Sequence, residues 1–170
     1  MNYKVLISDN LSKGIVNKFK REDIGVVYNP EIGKDNSLLL NEICNYDAIA
    51  IRSDTKLDSV VLNKANKLKV IGRAGIGVDN IDLDSASSKG IVVMNTPFGN
   101  AITTAEHTIA MIFAAARNIP AANQSTQSGR WEKKKFIGIE LSRKKLGIVG
   151  VGNIGSIVAS LAQSIGMEII

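Results

Sequence analysis

Short apolar runs rich in β-branched residues recur along the chain, and this repetition restricts the fold more than any other feature of the sequence. The runs are Lys4–Ser8, Gly25–Tyr28, Ala48–Ile51, Lys69–Ile71, Ile91–Met94, Leu146–Val149 and Met167–Ile170. Apolar and polar residues do not alternate within them, as is typical of strands buried on both faces of a parallel sheet. We therefore predict an α/β protein whose first part is a doubly wound parallel sheet of the flavodoxin-like type.

Helical patterns connect these runs. Those of the first part are Ser12–Lys20, Asn36–Cys44, Ser59–Lys67 and Leu83–Lys89. Ser12 is a candidate N-cap of the first helix, and Gly90 is a typical residue to follow the last one. The regular order of strand and helix supports the doubly wound arrangement.

A longer helix is predicted over residues 102–119, with Pro120 as its end. Thr103 and Glu106 have the spacing of a capping box near its start. The helix is apolar around nearly its whole circumference, so we expect it to be buried between two units of the protein. The polar residues 121–144 that follow predict an extended arm, with or without one short helix.

Composition excludes several classes of protein. The chain has 170 residues, of which 45% are hydrophobic, enough to bury a core. Its single cysteine cannot form an internal disulfide, and one cysteine with one histidine cannot form a zinc site, so we predict no metal. Low cysteine usage and the lack of a signal-peptide pattern favour the cytoplasm. The net charge of +5 suits small anions, and we predict neither nucleic acid nor membrane as a partner.

A glycine motif lies between the sixth apolar run and a predicted helix over Asn153–Ser164. Gly150, Gly152 and Gly155 form the G-x-G-x-x-G pattern in the strand–turn–helix context that dinucleotide binding requires. Gly150 permits the tight turn, Gly152 admits a pyrophosphate, and Gly155 lets the helix pack closely on the strand. The motif predicts the first β-α-β portion of a Rossmann nucleotide-binding domain, and the alternative is a glycine-rich turn without a ligand.

The nucleotide motif also requires an acidic residue about 20 residues further on, to hold the ribose hydroxyls. The strand that would end in this acid begins near Met167, and Glu168 comes too early, inside the strand. We therefore expect the chain to carry an incomplete nucleotide site.

Two arginines follow neighbouring buried runs. Arg52 and Arg73 each stand at the carboxyl end of a predicted strand, the edge at which open α/β sheets bind ligands. A guanidinium matches carboxylate and phosphate geometry, and Gly75 and Gly77 would free backbone N–H groups beside it. The residues leave two interpretations open: a site for an anion, or two arginines paired with surface carboxylates.

Together, five segments resemble the D-isomer-specific 2-hydroxyacid dehydrogenases, most closely the phosphoglycerate branch of that family. The segments are IRSDTKL, VIGRAGIGVDNIDL, GIVVMNTPFGN, GRWEKKKFIGIEL and KLGIVGVGNIG. The resemblance covers essentially the whole chain. It implies an NAD-dependent oxidoreductase that converts 3-phospho-D-glycerate to 3-phosphohydroxypyruvate at the entry to serine biosynthesis. The alternatives are another branch of the family, of the glyoxylate or hydroxypyruvate reductase type, and a non-enzymatic remnant or partner-binding fragment.

The family pattern also implies a division of the chain. Residues 1–96 would form a substrate-binding domain that lacks its returning C-terminal helix, and residues 97–170 would begin an NAD-binding Rossmann domain that is truncated. Four residues fall where the family contacts its anionic substrate: Arg52, Ser53, Arg73 and Gly75. Besides the three motif glycines, three residues fall where the family touches NAD: Ile76, Asn153 and Ile154.

The catalytic arginine, glutamate and histidine of the family have no counterpart in this chain, so we expect it to be inactive alone. His107 is the only histidine, and we interpret it as a packed, hydrogen-bonded residue rather than a catalyst. Cys44 is interpreted as a buried, inert thiol. The resemblance places a homo-oligomer interface in residues 97–140, where Trp131 is a candidate anchor. A separately encoded C-terminal half is a second candidate partner.

Overall fold

The computed structural model describes residues 3–12 and 14–170, and in it the chain divides into two compact units, Met1–Gly99 and Asn100–Ile170. We call them the N-terminal unit and the C-terminal unit. Across the described ranges, no helix has both the length and the apolar character needed to cross a bilayer.

The N-terminal unit is built on a parallel sheet of five strands. In chain order they are β1 (Lys4–Ile7), β2 (Gly25–Tyr28), β3 (Ala48–Ile51), β4 (Val70–Arg73) and β5 (Val92–Met94). Their spatial order is β2-β1-β3-β4-β5, with every neighbouring pair parallel. This is the flavodoxin-like order, so the predicted doubly wound sheet is confirmed. The order reverses between β1 and β3, which makes the carboxyl ends of these two strands the edge where such sheets bind ligands.

Helices connect the strands of this sheet. They are α1 (Gly14–Arg21), α2 (Pro30–Lys34), α3 (Asn36–Glu42), a 3₁₀ turn (Ile43–Asn45), α4 (Ser59–Lys64) and α5 (Leu83–Ser88). Helix α2 was not predicted. It begins at Pro30 because the Asn29 side chain accepts a hydrogen bond from the N–H of Glu31 and proline suits a first helical position. Gly90 follows α5 with a φ of +69°, as expected of a residue that ends a helix.

One apolar cluster holds the N-terminal unit together. Leu6, Ile49 and Ile71 from the three central strands are fully buried in it. The helices contribute further buried side chains: Leu39, Ile43, Val61, Leu62 and Ala86. The cluster therefore joins the sheet to the helices that connect its strands.

The C-terminal unit contains a smaller sheet. Its elements are α6 (Ala101–Ala116), α7 (Ile119–Gln127), a 3₁₀ turn (Lys133–Phe136), β6 (Lys145–Leu146), α8 (Asn153–Ser164) and β7 (Glu168–Ile169). β6 and β7 pair in parallel with α8 between them in the chain, which is one β-α-β portion of a doubly wound fold. Its buried cluster is small and consists of Leu141, Ala162 and Met167, with partly buried residues around them.

The predicted helix over 102–119 is two helices. α6 ends at Ala116, Asn118 takes a left-handed conformation with φ +52°, and Pro120 lies in the first turn of α7. The prediction that Pro120 ends a helix was wrong, since proline is also favoured where a helix starts. Part of the predicted extended arm is therefore helical.

Three further expectations about the C-terminal unit do not hold. Thr103 lies inside α6, whose N-cap is Asn100 without a side-chain cap. Of the α6 side chains, only those of Ala101 and Ala105 are buried, so the helix is not covered as its all-round apolar pattern suggested. The His107 side chain is exposed and has no hydrogen bond to the described residues, so it is not the packed histidine that we inferred.

Cys44 is likewise not fully buried. It lies in the 3₁₀ turn after α3, partly exposed, with its Sγ 3.8 Å from the carbonyl oxygen of Asn41. The helical pattern of α3 ends two residues before Cys44, which moves the thiol away from the apolar face that we predicted for it.

Candidate functional site

The first candidate site lies where β1 and β3 end, at the reversal of strand order. The segment after β3, Arg52–Thr55, forms what we call the anion loop. Arg52 and Ser53 of this loop are exposed, whereas Thr55 is fully buried. Among the described residues, no side chain pairs with the Arg52 guanidinium. The loop therefore presents a cation and a hydroxyl at the edge where the fold type binds ligands.

Backbone groups of the anion loop are held by a buried carboxylate. Asp9 follows β1 and is only 1% exposed. It accepts hydrogen bonds from the N–H of Arg52, from the N–H of Thr55 at 3.1 Å and from the Thr55 hydroxyl at 2.6 Å. The fold thus uses Asp9 to fix both ends of the loop.

Carbonyl groups of the same loop are held from the other side. The Asn80 side-chain N–H₂ donates to the carbonyl oxygens of Arg52 and Thr55, both at 2.7 Å. The Oδ1 atom of Asn80 is buried and has no hydrogen-bond partner among the described residues. Asn80 therefore joins the anion loop to the glycine-containing segment that follows β4.

Arg73 is placed differently from Arg52. Its side chain is 10% exposed and donates to the carbonyl oxygens of Gly77 and, at 3.4 Å, of Arg52. It also lies 3.4 Å from a carboxylate oxygen of Asp79. The structure brings both predicted arginines to one sheet edge, but Arg73 binds the protein itself.

The segment from Gly75 to Gly77 is also fixed by its surroundings. The N–H of Thr96 donates to the carbonyl of Gly75, and the Asn95 side chain donates to the carbonyl of Ile76. A Cβ atom on Gly77 would lie 3.1 Å from the Arg73 guanidinium, so the loop wraps closely around that arginine. Gly75 and Ile76, which were predicted as a substrate contact and an NAD contact, are thus held through their carbonyl groups by Thr96 and Asn95.

The second candidate site is the glycine turn between β6 and α8. Gly150 has a φ of +100°, a conformation that side chains rarely adopt. A Cβ atom on Gly155 would collide with the carbonyl oxygen of Gly150, so the helix packs on the turn as closely as the motif requires. A Cβ atom on Gly152 would meet nothing within 4 Å. The space that a side chain at Gly152 would fill is therefore open to a ligand.

The amino end of α8 faces this open space. Gly152 is the N-cap and supplies no side-chain acceptor to the first turn, in which Asn153 and Ile154 lie. An uncapped amino terminus of a twelve-residue helix favours negative charge. An open cavity of about 360 Å³ adjoins the turn and is lined by Thr108, Ile112, Leu146, Gly147, Ile148, Val149, Gly150, Ile154, Gly155 and Val158. The turn and helix thus fit the pyrophosphate of a dinucleotide.

Sequence reasoning missed Asp9 and Asn80. Asp9 comes directly after a buried strand and at the same sheet edge as Arg52, which is the signal that could have identified it. Asn80 gives no such signal, because its hydrogen bonds join it to Thr55 and Arg52, which lie 25 and 28 positions earlier in the chain.

Comparison with known proteins gives one family. Residues 5–165 match the family model of the D-isomer specific 2-hydroxyacid dehydrogenase, catalytic domain. The D-3-phosphoglycerate dehydrogenase of Archaeoglobus fulgidus is 44% identical over 167 residues, and that of Homo sapiens is 47% identical. Each alignment covers 98% of this chain and 31% of the relative, so the chain spans about a third of these relatives.

A solved structure agrees with this match. The D-lactate dehydrogenase of Aquifex aeolicus, in complex with NAD and lactic acid, is similar over 98% of this chain and 50% of its own. Its TM-score is 0.84 and its sequence identity is 27%. The fold of the family is therefore shared.

Proposed function

The chain belongs to the D-isomer-specific 2-hydroxyacid dehydrogenase family, and from that premise we propose that it is the N-terminal part of a D-3-phosphoglycerate dehydrogenase. Such an enzyme oxidises 3-phospho-D-glycerate to 3-phosphohydroxypyruvate, with NAD as acceptor of the hydride. The observation that carries the proposal is the identity of 44–47% to phosphoglycerate dehydrogenases across 98% of the chain. We place this activity in the cytoplasm and at the entry to serine biosynthesis.

On the substrate side, Arg52 binds an anionic group of the substrate. Its exposed guanidinium has no carboxylate partner in the described part of the chain, so it is available for a bidentate contact. Ser53 adds a hydroxyl at the same loop. Arg73 and Gly75 complete this side, with Arg73 holding the loop through the contacts described above.

On the cofactor side, Gly150, Gly152 and Gly155 shape the turn that holds the pyrophosphate of NAD. Asn153 and Ile154, in the first turn of α8, supply backbone contacts to it. Bound NAD supplies the hydride acceptor. The chain's own part is to bind the two charged ligands, since the candidate sites in the described part of the chain include no histidine that could remove the hydroxyl proton.

We further propose that the 170 residues do not turn over alone. His107 is the only histidine, and it is an exposed residue of α6 rather than part of either candidate site. Two partners are proposed: a second copy of the chain through residues 97–140, where Trp131 is 83% exposed, and a separate polypeptide that supplies the remaining part of the enzyme.

Calorimetry with 3-phospho-D-glycerate and with NAD tests the proposal. We expect both to bind the unmodified chain, Arg52→Ala to abolish binding of 3-phospho-D-glycerate, and Lys56→Ala to leave it unchanged. Lys56 is the matched control, an exposed cation next to the loop. Equal binding by both variants would exclude Arg52 as the anion ligand.

A turnover assay tests the second part. We expect no NADH from the chain alone, and NADH once the remaining part of the Archaeoglobus fulgidus relative is added as a second polypeptide. Turnover by the chain alone would contradict the proposed inactivity. No binding of either ligand would contradict the proposed function itself.

A further inference from the structure

The anion loop is held by groups that do not face the ligand. Three donors of the loop converge on the Asp9 carboxylate: two backbone N–H groups, from Arg52 and Thr55, and the Thr55 hydroxyl. The Asn80 side-chain N–H₂ donates to the carbonyl oxygens of the same two residues. Both ends of the loop are thus bound through both their N–H and their C=O groups, while the guanidinium of Arg52 stays exposed.

A carboxylate suits this arrangement better than an amide does. Its two oxygens are both acceptors, and all three groups that reach Asp9 from the loop are donors. An asparagine of the same shape would offer one acceptor and would turn an N–H₂ group toward a donor. The chemistry of the loop therefore requires an acid at position 9 rather than a polar residue of that size.

The surroundings of Asp9 are closely packed. A Cβ atom on Gly33 would collide with the carbonyl oxygen of Ser8 and with the Thr55 hydroxyl, and would lie 2.6 Å from Asp9 Oδ1. The Ser8 and Thr55 hydroxyls lie 2.8 Å apart and are fully buried. Gly33, Ser8 and Thr55 thus lie close to the carboxylate, and a side chain at position 33 would displace it.

From these observations we propose that Asp9 is the positioning residue of the anion site: it holds the Arg52–Thr55 loop so that Arg52 presents its guanidinium to the substrate. The proposal rests on the proposed function, because it takes 3-phospho-D-glycerate as the anion. Asp9 itself does not touch the ligand. Its effect on affinity passes through the two backbone N–H groups that it binds.

The test compares Asp9→Asn with Ile43→Ala in the full 170-residue chain. Ile43 is fully buried in the apolar cluster of the N-terminal unit, and its side chain cannot form a hydrogen bond to the anion loop. Ile43→Ala should therefore lower the unfolding midpoint without acting on Arg52. Two quantities are measured well below both midpoints: the affinity for 3-phospho-D-glycerate, and hydrogen exchange at the amides of Arg52 and Thr55.

Asp9→Asn should weaken the affinity about tenfold and speed exchange at both amides by a similar factor, because a buried donor loses its acceptor. Ile43→Ala should leave the affinity unchanged. If Asp9 had only a structural role, both variants would have a lower unfolding midpoint. Neither the affinity nor the exchange rates of the Arg52 and Thr55 amides would then change selectively.

Three results would overturn the inference. Unchanged exchange in Asp9→Asn would mean that the carboxylate does not hold the loop. Faster exchange with unchanged affinity would mean that the position of the loop does not matter to the anion. No binding of 3-phospho-D-glycerate by the unmodified chain would contradict both the proposed function and this inference. The affinity measured for the unmodified chain distinguishes this result from the other two.

Discussion

The two units of this chain bury their sheets to very different extents. In the N-terminal unit, five strands share one cluster in which Leu6, Ile49 and Ile71 are fully buried. In the C-terminal unit, the cluster has three buried residues, none of them in the two short strands, which contribute the partly buried Leu146 and Ile169. Val149 there is fully exposed, and 72% of Ile170 is exposed. Since apolar burial is the main source of stability, the N-terminal unit should be the more stable of the two.

The candidate sites differ in the same way. Four backbone groups of the anion loop are bound by Asp9 and Asn80, whereas the glycine turn is fixed by its own conformation and by the approach of α8. The anion loop is thus held by side chains, and the glycine turn by the absence of side chains. Substitutions should therefore act on the two sites by different mechanisms.

The largest effect is expected in the core of the N-terminal unit. Ile49 is 1% exposed at the centre of the sheet, so Ile49→Ala should cost about 2–5 kcal/mol of the free energy of unfolding. Chemical denaturation with hydrogen exchange resolved by residue measures it. Val60, which is 57% exposed, is the control, and Val60→Ala should change stability by no more than about 0.5 kcal/mol.

Exchange rates separate the two units in the same experiment. Amides of α8 and β7 should keep their original rates in Ile49→Ala if the units unfold independently. Faster exchange in α8 and β7, equal to that in β3, would show that the chain unfolds as one cooperative unit. It would contradict the difference in stability between the two units.

Much of the fold followed from the sequence because the strands carry a strong local signal. A buried β-branched run such as Ala48–Ile51 has few alternatives, and the strand–glycine–helix order at residues 147–156 has a direct structural meaning. Helix boundaries were harder, since Pro120 suits either the end or the start of a helix and the left-handed Asn118 decided between them.

The site was predicted only in part, for a physical reason. Exposed candidate groups such as Arg52 stand at a strand end and can be identified from the local sequence. The groups that hold them act over long separations: Asp9 lies 43 residues from Arg52 and Asn80 lies 28 residues from it. Such contacts exist only once the strand order is known, which is why neither residue was predicted.

The glycine turn provides a second, smaller effect. Gly155→Ala should destabilise the C-terminal unit by about 1–3 kcal/mol, because the added Cβ collides with the Gly150 carbonyl. Gly152→Ala is the matched control, since its Cβ meets nothing within 4 Å. Both variants should lose NAD binding in calorimetry, but only Gly155→Ala should lose protection in α8. Unchanged NAD affinity in Gly152→Ala would contradict the assignment of the open space to the pyrophosphate.

The junction of α6 and α7 gives a third effect. Asn118 has a φ of +52°, which asparagine tolerates and alanine does not, so Asn118→Ala should cost about 1–2 kcal/mol. Asn118→Gly should be neutral or slightly stabilising, because glycine adopts this conformation freely. Thermal unfolding followed in the C-terminal unit compares the two. Greater stability of Asn118→Ala than of Asn118→Gly would mean that residue 118 is helical in solution, because alanine is favoured over glycine by about 1 kcal/mol inside a helix.

The smallest effect concerns the pH dependence of α5 in the N-terminal unit. Hydrogen bonds from the N–H and hydroxyl of Ser85, both at 2.9 Å, lower the pKa of Asp82 below its ordinary value of 3.8. A carboxyl whose pKa is lower in the folded state stabilises that state above its unfolded pKa, and the contribution is lost as pH falls through the folded value. Exchange at the Ala86 amide should therefore speed up, relative to β1, only below about pH 4. Asp82→Asn keeps an acceptor for the Ser85 N–H but does not titrate, so its ratio of α5 to β1 exchange should stay flat over the same range. An equal rise of the α5 to β1 exchange ratio in both proteins would assign the acid sensitivity to other carboxylates.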